Sequence, residues 1–129
     1  MILELMKELK EEFALTYLFI THDLATAKYL CDRIAIMYLG RIVELGTRDE
    51  IFGHAHHPYT KALLEAVPVP DPRFRRSEEV VRGEIPSAID PPPGCHFHPR
   101  CRFATHACRI DRPPFRQGAA DHLSACILE

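Results

Sequence analysis

The chemistry-bearing residues of this sequence gather at its far end. Of five cysteines, Cys95, Cys101, Cys108 and Cys126 stand close together in the spacing C-x5-C-x6-C-x17-C. Four thiolates can close the coordination of one tetrahedral zinc or hold the irons of a [4Fe–4S] cluster. Structural zinc sites usually contain a C-x2-4-C knuckle, because a short turn aims two sulfurs at one ion. None occurs here. Wider, irregular gaps suit the larger cubane, and Gly94, Pro99 and Pro113-Pro114 fit an irregular loop wrapped around it. His96, His98, His106 and His122 could substitute as ligands in a mixed zinc site. Disulfides or free thiols are the remaining reading, so iron–sulfur, zinc and neither all stay open on spacing alone. Arg100, Arg102 and Arg109 flank three of the cysteines and would lower their pKa values and offset the charge of a thiolate-ligated centre. A redox role does not follow from the ligands. Cluster potentials span about -700 to +450 mV with charge, hydrogen bonding and exposure, so folding the segment is the plainer role.

His22 is the second candidate. Tyr17, Leu18, Phe19 and Ile20 run without a polar break and give way to Thr21, His22 and Asp23. The run predicts a strand over Thr16–Thr21, buried on both faces of an α/β sheet. Ligands of open α/β sheets sit beyond the carboxyl ends of the strands, which is where His22 stands. The competing reading makes His22 a cap of the following helix. Cys31 reads as a lone buried thiol. His54, His56 and His57 have no cysteine or carboxylate cluster beside them and read as a solvated loop.

Elements of both kinds must position these groups. Ile2, Leu5, Met6, Leu9 and Phe13 recur at helical spacing, and the pattern starts without a cap, as if Met1 cut a longer helix. With the strand at Thr16 and a helix from Leu24 to Cys31 this makes an α-β-α unit. Arg33 to Leu39 and Ile42 to Gly46, joined by Gly40-Arg41, predict a hairpin. Thr47-Arg-Asp-Glu50 is a capping box opening a short helix through Phe52, ended by Gly53. Pro58 opens another helix through Ala66. From Pro68 onward prolines make long elements unfavourable, with one short strand expected within Val80–Ile85. The organisation reads as 1–67, a linker at 68–77 and a small module at 78–129. A module of that size with few aliphatic residues needs a metal or cross-links to hold together.

Composition narrows the class. The chain has 129 residues, 47% hydrophobic and 26% charged, with a net charge of -2, so nothing in it points to nucleic acid. Arg73, Arg75, Arg76 and Arg82 are offset by Glu78, Glu79 and Glu84. No apolar run approaches the ~20 residues of a membrane span, and acids interrupt the first apolar stretch, so no signal peptide is expected. The expectation is an intracellular protein with reduced thiols.

The order of these pieces resembles the C-terminal part of the ATP-binding subunits of ABC transporters of the oligopeptide/dipeptide importer family. Leu18-Phe-Ile-Thr-His-Asp-Leu24 is similar to the switch-histidine segment, and Asp32 to Gly46 to the hairpin after it. His57-Pro-Tyr-Thr-Lys-Ala-Leu-Leu64 is similar to the peptide-importer signature that follows the core domain. Gly83-Glu-Ile-Pro-Ser87 and Gly94-Cys-His-Phe-His-Pro-Arg-Cys101 are similar to the start of its C-terminal extension. The first two motifs are shared by ABC ATPases at large; the last three narrow the family. Ala88 and Arg102 stand where that family often has proline, and neither departure removes a ligand.

The resemblance implies an α/β fragment of an ABC ATPase domain (strand, helices, β-hairpin) followed by a small irregular metal-stabilised extension. It gives His22 the γ-phosphate contact that helps position the attacking water, with Asp23 orienting the segment. It assigns Cys95, Cys101, Cys108 and Cys126 to a [4Fe–4S] cluster, with zinc the alternative. ATP and Mg²⁺ are implied for the intact subunit. The sequence contains no G-x-x-x-x-G-K-[ST], so this chain alone is expected to be inactive, and the rest of the nucleotide site is expected upstream. Implied partners are a second ATP-binding subunit and transmembrane permease subunits, at the cytoplasmic face of the membrane. Exposed strand edges would also favour a homodimer of the fragment. The rival from another class is a stand-alone zinc- or cluster-binding interaction module.

Overall fold

The computed structural model describes residues 2–67, 71–73, 84–118 and 121–128. Helix α1 (Ile2–Glu12) forms where the apolar spacing predicts it but buries none of its residues. It is held from the side by an ion pair between Lys10 and Asp32 and by the Tyr17 hydroxyl, which donates to the Met6 carbonyl at 3.1 Å. The strand expected over Thr16–Thr21 does not form among the described residues. Leu18 and Ile20 are 93% and 89% exposed, not buried on two faces. An apolar run becomes a strand only when a neighbour takes up its N–H and C=O groups, and no described strand pairs with this one.

Helix α2 (Leu24–Leu30) is capped by Asp23, whose carboxylate accepts from the Ala25 amide at 3.0 Å and the Thr26 hydroxyl at 2.6 Å. These bonds hold the Asp23 carboxyl below the usual carboxylate range, the Thr26 hydroxyl most of all. The hairpin follows as predicted, from β1 (Arg33–Tyr38) to β2 (Arg41–Thr47). Its link is Leu39-Gly40, one residue earlier than the Gly40-Arg41 expected. Both link residues have positive φ, 45° and 76°, the signature of the type I′ turn that matches strand twist. β1 alternates strictly, with Ile34, Ile36 and Tyr38 inward. β2 does not: the pairing slips between Ile36↔Glu44 and Met37↔Ile42, leaving Val43 as a bulge, and Val43 and Glu44 are both buried. Helix α3 (Arg48–Gly53) starts on the expected capping box, with Thr47 Oγ1 accepting from the Glu50 amide at 3.3 Å.

Helix α4 (Pro58–Ala66) has proline at its first turn, as predicted. Beyond residue 84 the regular elements are short: a 3₁₀ turn at His98–Arg100, helix α5 (His106–Ile110), β3 (Arg116–Gln117) and β4 (Leu123–Ser124). The strand expected within Val80–Ile85 falls outside the described residues up to 83, and Glu84 and Ile85 carry none. Most of the expected linker at 68–77 also lies outside them. The sheet runs β1-β2-β4-β3, every pair antiparallel, with Glu44 opposite Ser124 and Leu45 opposite Leu123. The last strands thus complete the hairpin's sheet. No described helix is long and apolar enough to cross a membrane.

The core likewise draws on residues far apart in the chain. Ala27, Ile34, Ile36, Tyr38, Val43 and Ile51 pack with Phe97 in one cluster. Phe97 is 2% exposed, with the rings of Tyr38 and Tyr59 each 5.4 Å away, edge-on and tilted respectively. Truncating Phe97→Ala should cost about 3–5 kcal/mol in urea unfolding. A loss under about 1 kcal/mol would show that the cysteine segment does not share the hairpin's core.

Candidate metal centre

Gly94 decides how the cysteine segment closes. Its φ is +72°, and a Cβ placed there would lie 2.3 Å from the Cys108 carbonyl oxygen. Glycine permits the close approach that lets the Cys95 amide donate to that oxygen at 2.8 Å. Two cysteine-bearing stretches are joined in this way. The chain then turns through His98–Arg100 into Cys101, whose amide donates to the His98 carbonyl at 3.3 Å. Cys108 is buried on α5, its sulfur 3.4 Å from the Thr105 hydroxyl. Cys126 follows β4, held in place by the Ala125 amide donating to the bulge carbonyl of Val43 at 2.9 Å. All four sulfur-bearing residues line one pocket, walled also by His57, His98, Phe97 and Pro113.

Every cysteine is a free thiol, so the disulfide reading finds no bond here. Burial pushes the Cys95, Cys101 and Cys126 thiols up, and their mutual charge adds to it. The expectation that flanking arginines would lower them is overturned. Arg100 donates to the Tyr38 hydroxyl at 3.4 Å and Arg102 lies 4.7 Å over the Phe103 ring, and no arginine lines the cavity. Backbone amides pull the other way, from Phe97 to Cys95, from Phe103 and Ala104 to Cys101, and from Ile127 and Leu128 to Cys126. Such amide donors favour a thiolate.

Of the histidines offered as substitute ligands, only His98 lines this cavity, and its Nδ1 lies 2.8 Å from the Cys95 carbonyl oxygen. His96 lines a neighbouring pocket with Arg41 and Arg112. Burial, then the charge of Arg41, pushes the His96 pKa down. His106 is exposed. His122 pairs with Glu44. Among the described residues, no three His, Cys, Asp or Glu side chains converge as the ligands of a single ion do. Cys31 packs partly buried against the core, away from this cavity. His22 is exposed and lines neither cavity, so the structure does not bring it together with the cysteines.

The loop of His54, His56 and His57 corrects a second expectation. His54 and His56 are exposed, but His57 is 1% exposed and caps α4, its Nδ1 accepting from the Tyr59 amide at 3.1 Å. Pro58 at the first turn was the available signal, since it marks position 57 as the cap. The fully buried Glu44 fixes this loop, accepting from the His56 amide at 2.8 Å and the His57 amide at 3.1 Å. Its first oxygen also meets His122 Nε2 at 2.5 Å, and Glu50 stands 3.4 Å from the other nitrogen of that ring.

A β-hairpin, capped short helices and a cysteine-lined loop on one sheet agree with the C-terminal part of an ABC ATPase domain. Residues 43–108 match the family described as "Oligopeptide/dipeptide transporter, C-terminal region", and the chain belongs to that family. It is 46% identical over 126 residues to the dipeptide transport ATP-binding protein DppF of Haemophilus influenzae, covering 98% of this chain and 38% of that protein. It is 46% identical over 129 residues to the oligopeptide transport ATP-binding protein AppF of Bacillus subtilis, covering 98% and 39%. A Brucella ovis protein named for peptide import and ATP binding is 44% identical over 128 residues, covering 99% and 40%. The chain spans about 40% of the length of such relatives.

Burial lowers the His57 pKa from 6.5 to about 4, partly opposed by Glu44. The unfolded chain takes up this proton near 6.5 and the folded chain only near 4. The stability His57 contributes is therefore complete above about pH 6.5 and is lost as pH falls toward 4, by about 3 kcal/mol. Urea unfolding between pH 7 and 4.5 should show this slope, diminished in His57→Ser. Equal slopes would contradict a buried neutral imidazole.

Proposed function

We propose that the chain is the C-terminal part of the ATP-hydrolysing subunit of an importer for oligopeptides or dipeptides. The observation that carries this reading is the likeness to ATP-binding proteins of dipeptide and oligopeptide transport across nearly the whole chain. In this reading ATP and Mg²⁺ belong to the intact subunit, which works at the cytoplasmic face of the membrane. It pairs with a second ATP-binding subunit and with transmembrane permease subunits. His22 is the switch histidine. Its exposure at the foot of α2, with Asp23 taking the capping role, leaves the imidazole available to donate to a phosphoryl oxygen as charge develops. In the assembled importer, His22→Ala should lower ATP turnover by about a hundredfold or more. Turnover equal to the unsubstituted subunit would remove His22 from this role.

The same reading gives Cys95, Cys101, Cys108 and Cys126 a [4Fe–4S] cluster. Support comes from four thiols on one cavity, with backbone amides directed at three of them. Four sulfurs bound to one zinc at about 2.3 Å would lie roughly 3.8 Å apart, whereas a cubane holds its corner ligands further apart. The separation of the sulfurs therefore distinguishes the two centres, and the four thiols that line one pocket are the ligands either would use. Protein prepared without oxygen should be brown, absorb broadly near ~400 nm and carry about four irons per chain. A colourless preparation with one zinc would replace the cluster by the ion.

A further inference from the structure

Helix α4 begins with a proline, which has no N–H, so the first amide it can offer a cap is that of Tyr59. That amide donates to His57 Nδ1 at 3.1 Å. A backbone amide can only donate, so Nδ1 carries a lone pair and the proton of the neutral ring sits on Nε2. Nε2 faces the Cys95 sulfur at 4.0 Å, the outer reach of an N–H···S contact. The ring is clamped in that attitude. Its residue's own amide is held by Glu44 at 3.1 Å, the Phe97 ring stands 5.9 Å away, and only 1% of its surface is exposed.

We propose that His57 is a positioning residue of the cysteine site, holding an Nε2–H on the Cys95 sulfur so that the start of α4 tunes that ligand. The proposal rests on the reading that the four cysteines hold a [4Fe–4S] cluster. A donor to a ligand sulfur draws charge from it and stabilises the more negative, reduced form of the centre. His57 adds a side-chain donor to the Phe97 amide already directed at Cys95. The link runs through residues that the sequence separates by 38 positions.

The test is an anaerobic dithionite titration of the iron-loaded full chain against His57→Ser. Serine keeps an N-cap for α4 and removes the donor. The midpoint should move to a more negative potential with iron content unchanged. Water entering the vacated space would favour the more charged reduced form and shift the midpoint the opposite way, so the sign separates lost hydrogen bonding from loosened packing. A midpoint that is unmoved or more positive overturns the proposal while leaving the cluster in place. A chain that takes up no iron overturns the cluster reading, and the tuning role with it. Nitrogen-15 spectra of the unsubstituted, metal-free chain give a readout that needs no variant to fold. The proton is expected on Nε2 of His57, and finding it on Nδ1 overturns the proposal whatever metal binds.

Discussion

Glu44 has none of its surface in water, and the charge of a buried carboxylate is tolerable only if its oxygens are taken up by donors. The donors come from far along the chain: the amides of His56 and His57, and the ring of His122. Removing any of them would leave part of the carboxylate unpaired in the interior, at a cost of several kcal/mol. One side chain on β2 therefore demands that the loop before α4 and the approach to β4 stand in fixed places. Much of the rest follows. The loop position sets the His57 ring, and the approach to β4 sets the pairing that carries Cys126 to the cavity.

The cysteine cavity depends on opposed influences of similar kind. Burial favours the neutral thiols, and amide donors at Cys95, Cys101 and Cys126 favour the thiolates. Binding a cation at such a site displaces protons, which couples occupancy to pH and to folding. The wall facing the sulfurs is largely apolar and aromatic, and Phe97 belongs at once to this wall and to the core under the hairpin. Disturbance at the site is therefore felt in the sheet, since close-packed interiors transmit strain.

Local rules worked where the signal was local. Thr47 and Glu50 announced α3, Pro58 announced α4, and the alternation of Ile34, Ile36 and Tyr38 announced β1. The hairpin turn lies one residue earlier than Gly40-Arg41 because Leu39, an apolar residue that does not signal a turn, takes a positive φ beside Gly40. β3 and β4, two residues each, are too short to show any period. The run at Thr16 shows the converse error. Its apolar character was plain, but pairing is a property of two segments, and its own residues carry only half of it. His57 reads as solvated from sequence because a histidine among histidines gives no sign of burial until its neighbours are placed.

The sequence by itself determined which side chains could do chemistry. Four cysteines at irregular spacing, a histidine after an apolar run, and the motifs of a peptide-importer subunit are all readable without coordinates, because residue types and separations are covalent facts. Tertiary structure alone decided which of them meet. It put four thiols on one cavity, left His22 apart in water, turned the arginines toward Tyr38 and Phe103, and buried Glu44 with His122. The reason is that burial and hydrogen bonding are settled jointly by segments distant in the chain, and Gly94, by letting Cys95 approach Cys108, closes a contact that no single stretch encodes.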